Sequence, residues 1–314
     1  MIGSLPIKIS HKVYLLGSYE LNIYLVRGKK CALIEGGSST QFPLLLEQLN
    51  YLEISPHDIE YLIVLHSHAD HIMTFPPLQE MFPWMRIAAF SGSRKVFDDA
   101  RIVGKLKESD RGIAHSLAEA GLRNTEVYHS PSPHYPMDIS LKEGDLIELG
   151  DKVKLKVIET PGHAPDSISL YLASDEVLFT SDAIGIFYPP YDIKPDYFYH
   201  LGMYEASLER IRDIAAKVLC KGHQGMVIGE RMIKDYIQLA FIGVERFKRS
   251  ILDAIDAGRD EDEVCREITD TYHKGILGLF PREGNFNLCR LLIRRTLEHL
   301  GIPSYPDNRE NQAI

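Results

Sequence analysis

The chain has 314 residues, which is enough for one large domain or two modest ones, and its 45% hydrophobic and 25% charged residues are those of an ordinary globular protein. A net charge of −9 argues against nucleic acid or an anionic membrane as the main partner. Four widely spaced cysteines without a CxxC pair indicate reduced thiols rather than a disulfide framework. With no apolar run of about 18 residues and no signal-like N-terminal segment, we expect a soluble, cytoplasmic protein.

Strand-like runs dominate the first 230 residues, and a helical stretch interrupts them. The Gly28-Lys29-Lys30 segment is a tight turn between two runs, so the chain opens with antiparallel strands. Ser38-Ser39 offers an N-cap for a helix through Leu49. Residues 92–126 have helical spacing, and we expect them to form an insertion that acts as a flap near the site. The predicted strands are 12–17, 21–27, 31–35, 61–65, 85–90, 139–142, 146–149, 153–159, 168–172, 177–180 and 218–220.

A histidine-rich segment follows directly on the apolar strand at 61–65. His66 and His68 are two residues apart, so in an extended segment their side chains point the same way. Asp70 and His71 follow where the chain turns away, and their side chains can converge on a second point next to the first. Imidazole and carboxylate groups together suit zinc, iron or manganese. A polar loop rich in histidine is the alternative, but four ligand-type residues at this spacing favour a metal site.

Three further candidates each follow a predicted strand. His163 comes after a Pro-Gly turn, Asp182 ends a strand, and His223 lies in a glycine-flanked turn. Each one alone is equally explained as a turn or loop residue. Together they meet the needs of a dinuclear centre, in which two ions share a carboxylate. The predicted set is His66, His68 and His163 for one ion, Asp70, His71 and His223 for the other, and Asp182 as the bridge.

The second half of the chain supplies the candidate substrate contacts. The loop at 186–199 is rich in aromatic residues and prolines, and Tyr188 and Tyr191 are its candidate substrate-binding residues, although such rings are more often packing. From Glu230 onward the pattern is helical only, with helices predicted at about 230–257, 260–272 and 287–300. Asn287, at the start of the last helix, is expected to cap the pocket. We therefore predict a catalytic domain at 1–228 and a helical region at 229–314 that covers the site and forms a homodimer.

The ordered motifs HxHxDH, TPGH, SD and GH resemble the metallo-β-lactamase superfamily. The resemblance covers residues from about 12 to 228 and implies an α/β fold, an αββα sandwich with a helical insertion and a helical C-terminal extension. The ligand set is similar to that of glyoxalase II and its dinuclear relatives, and implies two divalent transition metal ions, zinc, iron or manganese. Zinc β-lactamases lack this second-metal pair and the bridging aspartate. Flavodiiron proteins usually carry glutamate in place of His68, together with a flavodoxin domain.

A narrower resemblance concerns the thioesterase branch of the Pseudomonas quinolone signal pathway, which acts on an aminobenzoylacetyl-coenzyme A intermediate. It rests on Ile34-Glu35-Gly36-Gly37, the insertion, Ser207-Leu208-Glu209-Arg210 and the helical C-terminus. Most superfamily members have aspartate at the position of Glu35. The basic signature by which glyoxalase II binds glutathione is not recognisable in 229–314, so a small acyl thioester of the coenzyme A type is the expected substrate.

The expected chemistry is hydrolysis by a hydroxide that the two ions share, with Asp182 holding the ions and Asp70 receiving or relaying the proton. Four arginines of the C-terminal helices could bind an anionic carrier such as coenzyme A, or they could form a solvated face: Arg282, Arg290, Arg294 and Arg295. The alternatives are a di-iron redox protein that reduces oxygen or a small molecule, a regulatory ligand-binding protein, a lactonase and a phosphodiesterase. Gly185 stands where lactonases of the superfamily often have tyrosine, which disfavours lactones.

Overall fold

A computed structural model of the protein describes residues 6–122, 126–303 and 305. Residues 123–125 of the predicted insertion, and residues 304 and 306–314 of the predicted C-terminal region, lie outside this description. Among the residues described, no helix is both long enough and apolar enough to cross a bilayer.

The described residues form a first sheet of seven strands that lie side by side in chain order. Its first four strands are antiparallel and the last four are parallel. The carboxyl ends of parallel strands share one edge of a sheet, which is where loops gather functional residues. The strands are β1 (Ile7–Lys8), β2 (Val13–Gly17), β3 (Asn22–Arg27), β4 (Cys31–Ile34), β5 (Ile59–Ile63), β6 (Arg86–Phe90) and β7 (Ile139–Leu141).

A second sheet of six strands, within the described residues, faces the first. Its strands are β8 (Leu146–Gly150), β9 (Val153–Glu159), β10 (Ile168–Leu172), β11 (Val177–Ser181), β14 (Val218–Lys221) and β15 (Met226–Ile228). They are ordered β15-β14-β11-β10-β9-β8, and β11 and β14 are parallel. A separate two-stranded ribbon consists of β12 (Ile186–Tyr188) and β13 (Asp192–Lys194).

Helices cover the outer side of each sheet. In the described part of the chain they are α1 (Phe42–Tyr51), α2 (Ala69–Ile72), α3 (Phe75–Met81), α4 (Arg94–Phe97), α5 (Ala100–Glu119), α6 (Leu201–Arg212), α7 (Glu230–Asp256), α8 (Glu261–Tyr272) and α9 (Arg282–Leu300). One core lies between the two sheets, where the rings of Tyr24 and Phe179 meet edge to face at 5.4 Å. A second core joins the first sheet to α1, α3 and α5, and a third joins the second sheet to α6, α7 and α9. The predicted αββα sandwich, with its helical C-terminal part, is confirmed.

Strand β9 shows why these segments become a sandwich. Val153, Leu155 and Val157 point into the core between the sheets, while Lys154 and Lys156 alternate with them on the exposed face. This period of two buries one side of an extended strand and leaves the other side in water.

Several predicted boundaries were wrong, and long-range contacts explain the main ones. The strand before the histidines is Ile59–Ile63 rather than 61–65, because the carbonyl of Leu65 accepts a hydrogen bond (2.8 Å) from the amide of Ile168 in the other sheet. The chain thus leaves the first sheet and crosses toward the second. The aromatic loop contains the β12–β13 ribbon, the last helix begins at Arg282 rather than Asn287, and β15 was not predicted.

Candidate metal centre

Three histidines from two strand ends form the first ligand group. His66 and His68 follow β5, and His163 follows β9. Their ring nitrogens lie within 4.8 Å of one another, and His163 Nε2 is 3.0 Å from His68 Nδ1. Two imidazoles that direct ring nitrogens at the same point are the arrangement that a transition metal ion bridges.

Asp70, His71, Asp182 and His223 form the second group, again within 4.8 Å. Asp182 Oδ2 lies 3.1 Å from His71 Nε2 and 3.4 Å from His223 Nε2. The same oxygen is 3.7 Å from His163 Nε2 of the first group. The structure therefore brings all seven predicted ligands together and places Asp182 where one carboxylate reaches both groups.

Outer hydrogen bonds hold the imidazole rings in position. The Nδ1 of His163 donates to the backbone carbonyl of Asp196 (2.7 Å), and the Nδ1 of His223 donates to that of Glu20 (2.6 Å). The Nδ1 of His71 is bonded to the carboxylate of Glu35. In each ring the other nitrogen, Nε2, is thereby directed at the centre, which is how proteins orient metal-binding histidines.

His66 supplies the observation that tests the fit of a metal most directly. Its Nδ1 lies 3.2 Å from the hydroxyl of Ser181. Its Nε2 is buried and has no hydrogen-bond partner among the described residues. A buried polar atom without a partner is unfavourable unless a ligand satisfies it, and a divalent cation at this point would do so.

The electrostatics of the centre also suit a cation. Burial alone would raise the pKa of Asp182, but the imidazoles of His223 and His71 hold it well below its usual value, so the carboxylate is ionised. Burial, followed by the neighbouring His68, lowers the pKa of His163 to about 3, so this ring is neutral and can act as a ligand. Burial opposes a charge on His223, yet the carboxylate of Asp182 raises its pKa to about 10. A divalent ion between carboxylate and imidazole would replace that proton.

A cavity of about 260 Å³ opens onto both ligand groups. One wall comes from α5 of the predicted insertion, which therefore does lie beside the site, and another from the segment between α8 and α9. The ribbon and the residues after it supply the third wall. Besides the candidate ligands His68, Asp70, His163, Asp182 and His223, the described lining residues are Ala69, Leu106, Ser109, Ile113, Ile186, Lys194, Asp196, Phe198, Leu277, Phe280, Asn285 and Leu288.

The three predicted substrate residues do not line this cavity. Tyr191 is at the tip of the ribbon and is 81% exposed. The hydroxyl of Tyr188 donates to the carbonyl of Thr271 (2.7 Å), so Tyr188 braces α8. Asn287 is exposed, and Asn285 lines the cavity instead. Two residues correspond to about 200° around a helix, so Asn285 and Asn287 face nearly opposite directions. The helix itself begins at Arg282, five residues earlier than predicted.

The four arginines proposed for an anionic carrier are all engaged in ion pairs. Arg282 pairs with Asp270 and Arg290 with Asp262, while Arg294 and Arg295 both pair with Glu298. None of them lines the cavity. The structure therefore favours the interpretation of these arginines as a solvated face.

Sequence reasoning missed the residues that orient the ligands. Glu35 was noted only as part of a resemblance, yet it is fully buried and bonds His71 from the end of β4, the strand next to β5. One signal could have identified Glu35 as such a residue. It is a buried-strand pattern that ends in a carboxylate, next to the strand that carries the histidines.

The model of the metallo-β-lactamase superfamily matches residues 19–223, which is most of the chain and includes all seven ligands. The chain belongs to this superfamily. The solved structure of a metallo-β-lactamase family protein from Thermus thermophilus superposes with a TM-score of 0.67 at 21% identity, over 94% of this chain and 95% of that one. An archaeal superfamily protein from Sulfolobus tokodaii gives a TM-score of 0.55 at 22% identity, over 73% and 86%. Both likenesses concern the fold.

The curated relatives fall into two kinds. A probable metallo-hydrolase of Methanocaldococcus jannaschii is 31% identical over 166 residues, which are 53% of this chain and 68% of that protein. The anaerobic nitric oxide reductase flavorubredoxin of Salmonella typhi is 28% identical over 53% of this chain, and the diflavin flavoprotein A 1 of Synechocystis is 27% identical over the same share. The chain spans only 29% and 24% of the length of these two flavoproteins.

Proposed function

We propose that the protein is a dinuclear metallo-hydrolase that cleaves an acyl ester, with acyl thioesters of the coenzyme A type as its substrates. The observation that carries the proposal is the single oxygen of Asp182 that reaches both ligand groups at the floor of a cavity. Membership of the superfamily and the likeness to a metallo-hydrolase support the broader part, a metal-dependent hydrolase.

The seven ligands would hold two divalent ions, zinc, iron or manganese, all of which accept imidazole and carboxylate donors. When bound, such ions supply an activated water and polarise a carbonyl group. Asp182 fixes the two ligand groups relative to each other. The carboxylate of Asp70 is 14% exposed, lines the cavity and lies 3.5 Å from His223 Nε2, so it is the group placed to accept and pass on a proton.

One feature of the cavity supports an acyl ester, and one feature of the sequence favours a thioester among the esters. Apolar side chains from all three walls surround the cavity, which suits an apolar acyl group. The segment Ile34–Gly37 resembles the quinolone-signal thioesterases. No protein nucleophile is needed, and the four cysteines are all buried. The assignment to the quinolone-signal branch, and within it the aminobenzoylacetyl substrate, is part of the proposal.

A di-iron redox protein is the second candidate, since two of the relatives above are flavoproteins, one of them named as a nitric oxide reductase. It predicts bound iron and the consumption of oxygen or nitric oxide when an electron donor is supplied. It also predicts no turnover of thioesters.

The test is elemental analysis of the purified protein followed by a screen of acyl-coenzyme A thioesters, lactones and phosphodiesters. We expect bound transition metal and thioester hydrolysis that falls at least about 100-fold in Asp182→Ala and in His68→Ala. His115→Ala, at a histidine that is 69% exposed on α5, is the matched control and should behave like the wild type. Only traces of metal would contradict the metal-dependent proposal, and turnover of phosphodiesters alone would contradict the thioesterase.

The predictions about domain division and assembly remain to be tested. A homodimer through the C-terminal helices is supported by the exposed apolar residues Met232 and Ile242 on α7, which are 57% and 48% exposed. Light scattering on the wild type and on Ile242→Glu measures the oligomeric state. A monomeric wild type would contradict the homodimer. The division into a catalytic domain at 1–228 and a helical region from 229 also stays a prediction, although four residues of the latter line the cavity.

A further inference from the structure

An ion pair in the cavity wall has no part in the proposed hydrolysis. Lys194 ends β13, and its ammonium group pairs with the carboxylate of Asp196. The two side chains are only 12% and 3% exposed, and both line the cavity. The ammonium nitrogen also lies 5.4 Å from the centre of the Phe198 ring. Apart from the metal-ligand residues, these are the charged residues among the described residues of the lining.

The pair lies close to the metal centre. The backbone carbonyl of Asp196 accepts the hydrogen bond from Nδ1 of His163, a candidate metal ligand. The ring of Phe198, which lies beside the ammonium group of Lys194, is 5.2 Å from the ring of the same histidine. A substrate group that the pair binds is therefore close to the carbonyl that reacts at the centre.

The chemistry of the pair selects what it can bind. Lys194 has N–H groups beyond the one that it gives to Asp196, and the carboxylate has lone pairs beyond those that it uses. The pair is neutral overall, so a carboxylate on the substrate would be attracted by Lys194 but repelled by Asp196. An alkyl group would leave those remaining N–H groups and lone pairs without a partner, which a buried site disfavours. A hydroxyl group can accept a hydrogen bond from Lys194 and donate one to Asp196.

We propose that Lys194 and Asp196 form a subsite that selects acyl groups carrying a hydroxyl close to the reacting carbonyl. The inference rests on the proposed function, because it names the substrate class of the same site. A six-carbon acyl group with one hydroxyl is small enough for the cavity of about 260 Å³.

Three thioesters of coenzyme A test the subsite: hexanoyl, 3-hydroxyhexanoyl and the anionic adipoyl. For the wild type we expect kcat/KM to be about 10- to 100-fold higher for the hydroxyacyl than for the hexanoyl thioester, the range for a hydrogen bond to a charged group. In Lys194→Met/Asp196→Leu, which removes both charges together, this ratio should fall to about one. In Asp196→Asn the charge of Lys194 is unbalanced, and the preference should move toward adipoyl.

Binding is measured separately from hydrolysis. Thioether analogues of the hexanoyl and 3-hydroxyhexanoyl compounds are not hydrolysed, and their dissociation constants follow from calorimetry. The control variant is Lys154→Met/Glu148→Gln, which removes an exposed ion pair of β8 and β9 and should keep the wild-type preference.

Equal affinity of the wild type for the two thioethers would overturn the inference, as would a preference that survives in the double variant. A wild type that hydrolyses none of the thioesters but prefers the hydroxylated thioether would overturn the proposed function and support the subsite.

Discussion

Gly222 allows the geometry of the metal centre to be tested with a single methyl group. It lies between the end of β14 and His223, and its φ is outside the left-handed region, so alanine is compatible with the backbone. A Cβ at this position would lie 2.4 Å from Asp182 Oδ1 and 2.7 Å from His71 Cε1. Ordinary contacts begin at 3.4 Å, so the carboxylate would have to move by about 1 Å and the imidazole by about 0.7 Å.

Metal coordination does not accommodate such a shift. Ligand distances in metal sites are held to within about 0.2 Å, and loss of correct ligand orientation lowers metal affinity by about 10- to 100-fold. Because Asp182 reaches both ligand groups, we expect Gly222→Ala to lower metal affinity by at least that factor. The kcat/KM for the substrate should fall with the metal content.

The measurement is metal content by mass spectrometry together with competition against a chelator of known affinity. Gly104→Ala on α5 is the matched control, because a Cβ there meets no atom within 4 Å. Circular dichroism checks that both variants fold. If Gly222→Ala is folded and binds metal with wild-type affinity, then Asp182 and His71 do not act as ligands in this arrangement.

Three further predictions concern charge and metal. Glu35→Gln keeps the shape next to His71 but removes the charge, and metal affinity should fall about 10- to 100-fold, whereas the exposed Glu148→Gln should leave it unchanged. The hydrogen bond from Arg101 lowers the pKa of Asp99, the N-cap of α5, to about 2, below the unfolded value of about 3.9. Its contribution to stability is therefore present above about pH 4 and lost toward pH 2, so the Tm difference between wild type and Asp99→Ala should shrink between pH 6 and pH 3. A difference that grows on acidification would contradict this assignment. Chelation should lower the Tm, and added zinc or manganese should restore it, since a ligand bound only by the folded state stabilises that state. An unchanged Tm would show that no metal is bound.

The convergence of the seven candidate ligands could be predicted from the sequence because each lies close to a strand end, and strand ends are visible as local patterns. His66 and His68 needed only the period of an extended chain, and His163 and Asp182 needed only a strand followed by a turn. Their assembly into two groups follows from two sheets packed face to face, an arrangement that the resemblance to the superfamily implied.

The substrate contacts could not be predicted in the same way. Whether Asn285 or Asn287 faces the cavity depends on how α9 packs, because the two side chains are about 200° apart around the helix. Lys194 and Asp196 looked like ordinary loop residues, because their closeness to the centre depends on a hydrogen bond to His163, which lies more than thirty residues earlier in the chain.

The position of α5 also depends on contacts between residues that are distant in the sequence. Asp110, fully buried on this helix, accepts hydrogen bonds from the amide and hydroxyl of Ser39 and is bonded to Nε2 of His129 at 2.7 Å. Ser39 belongs to the loop after β4, and that loop begins at Glu35, which holds His71. One loop therefore orients a metal ligand at its start and fixes the wall of the cavity at its end. Since buried polar groups are paired wherever the fold allows, a change in this loop moves the centre and the wall together, and local patterns in the sequence contain no sign of that coupling.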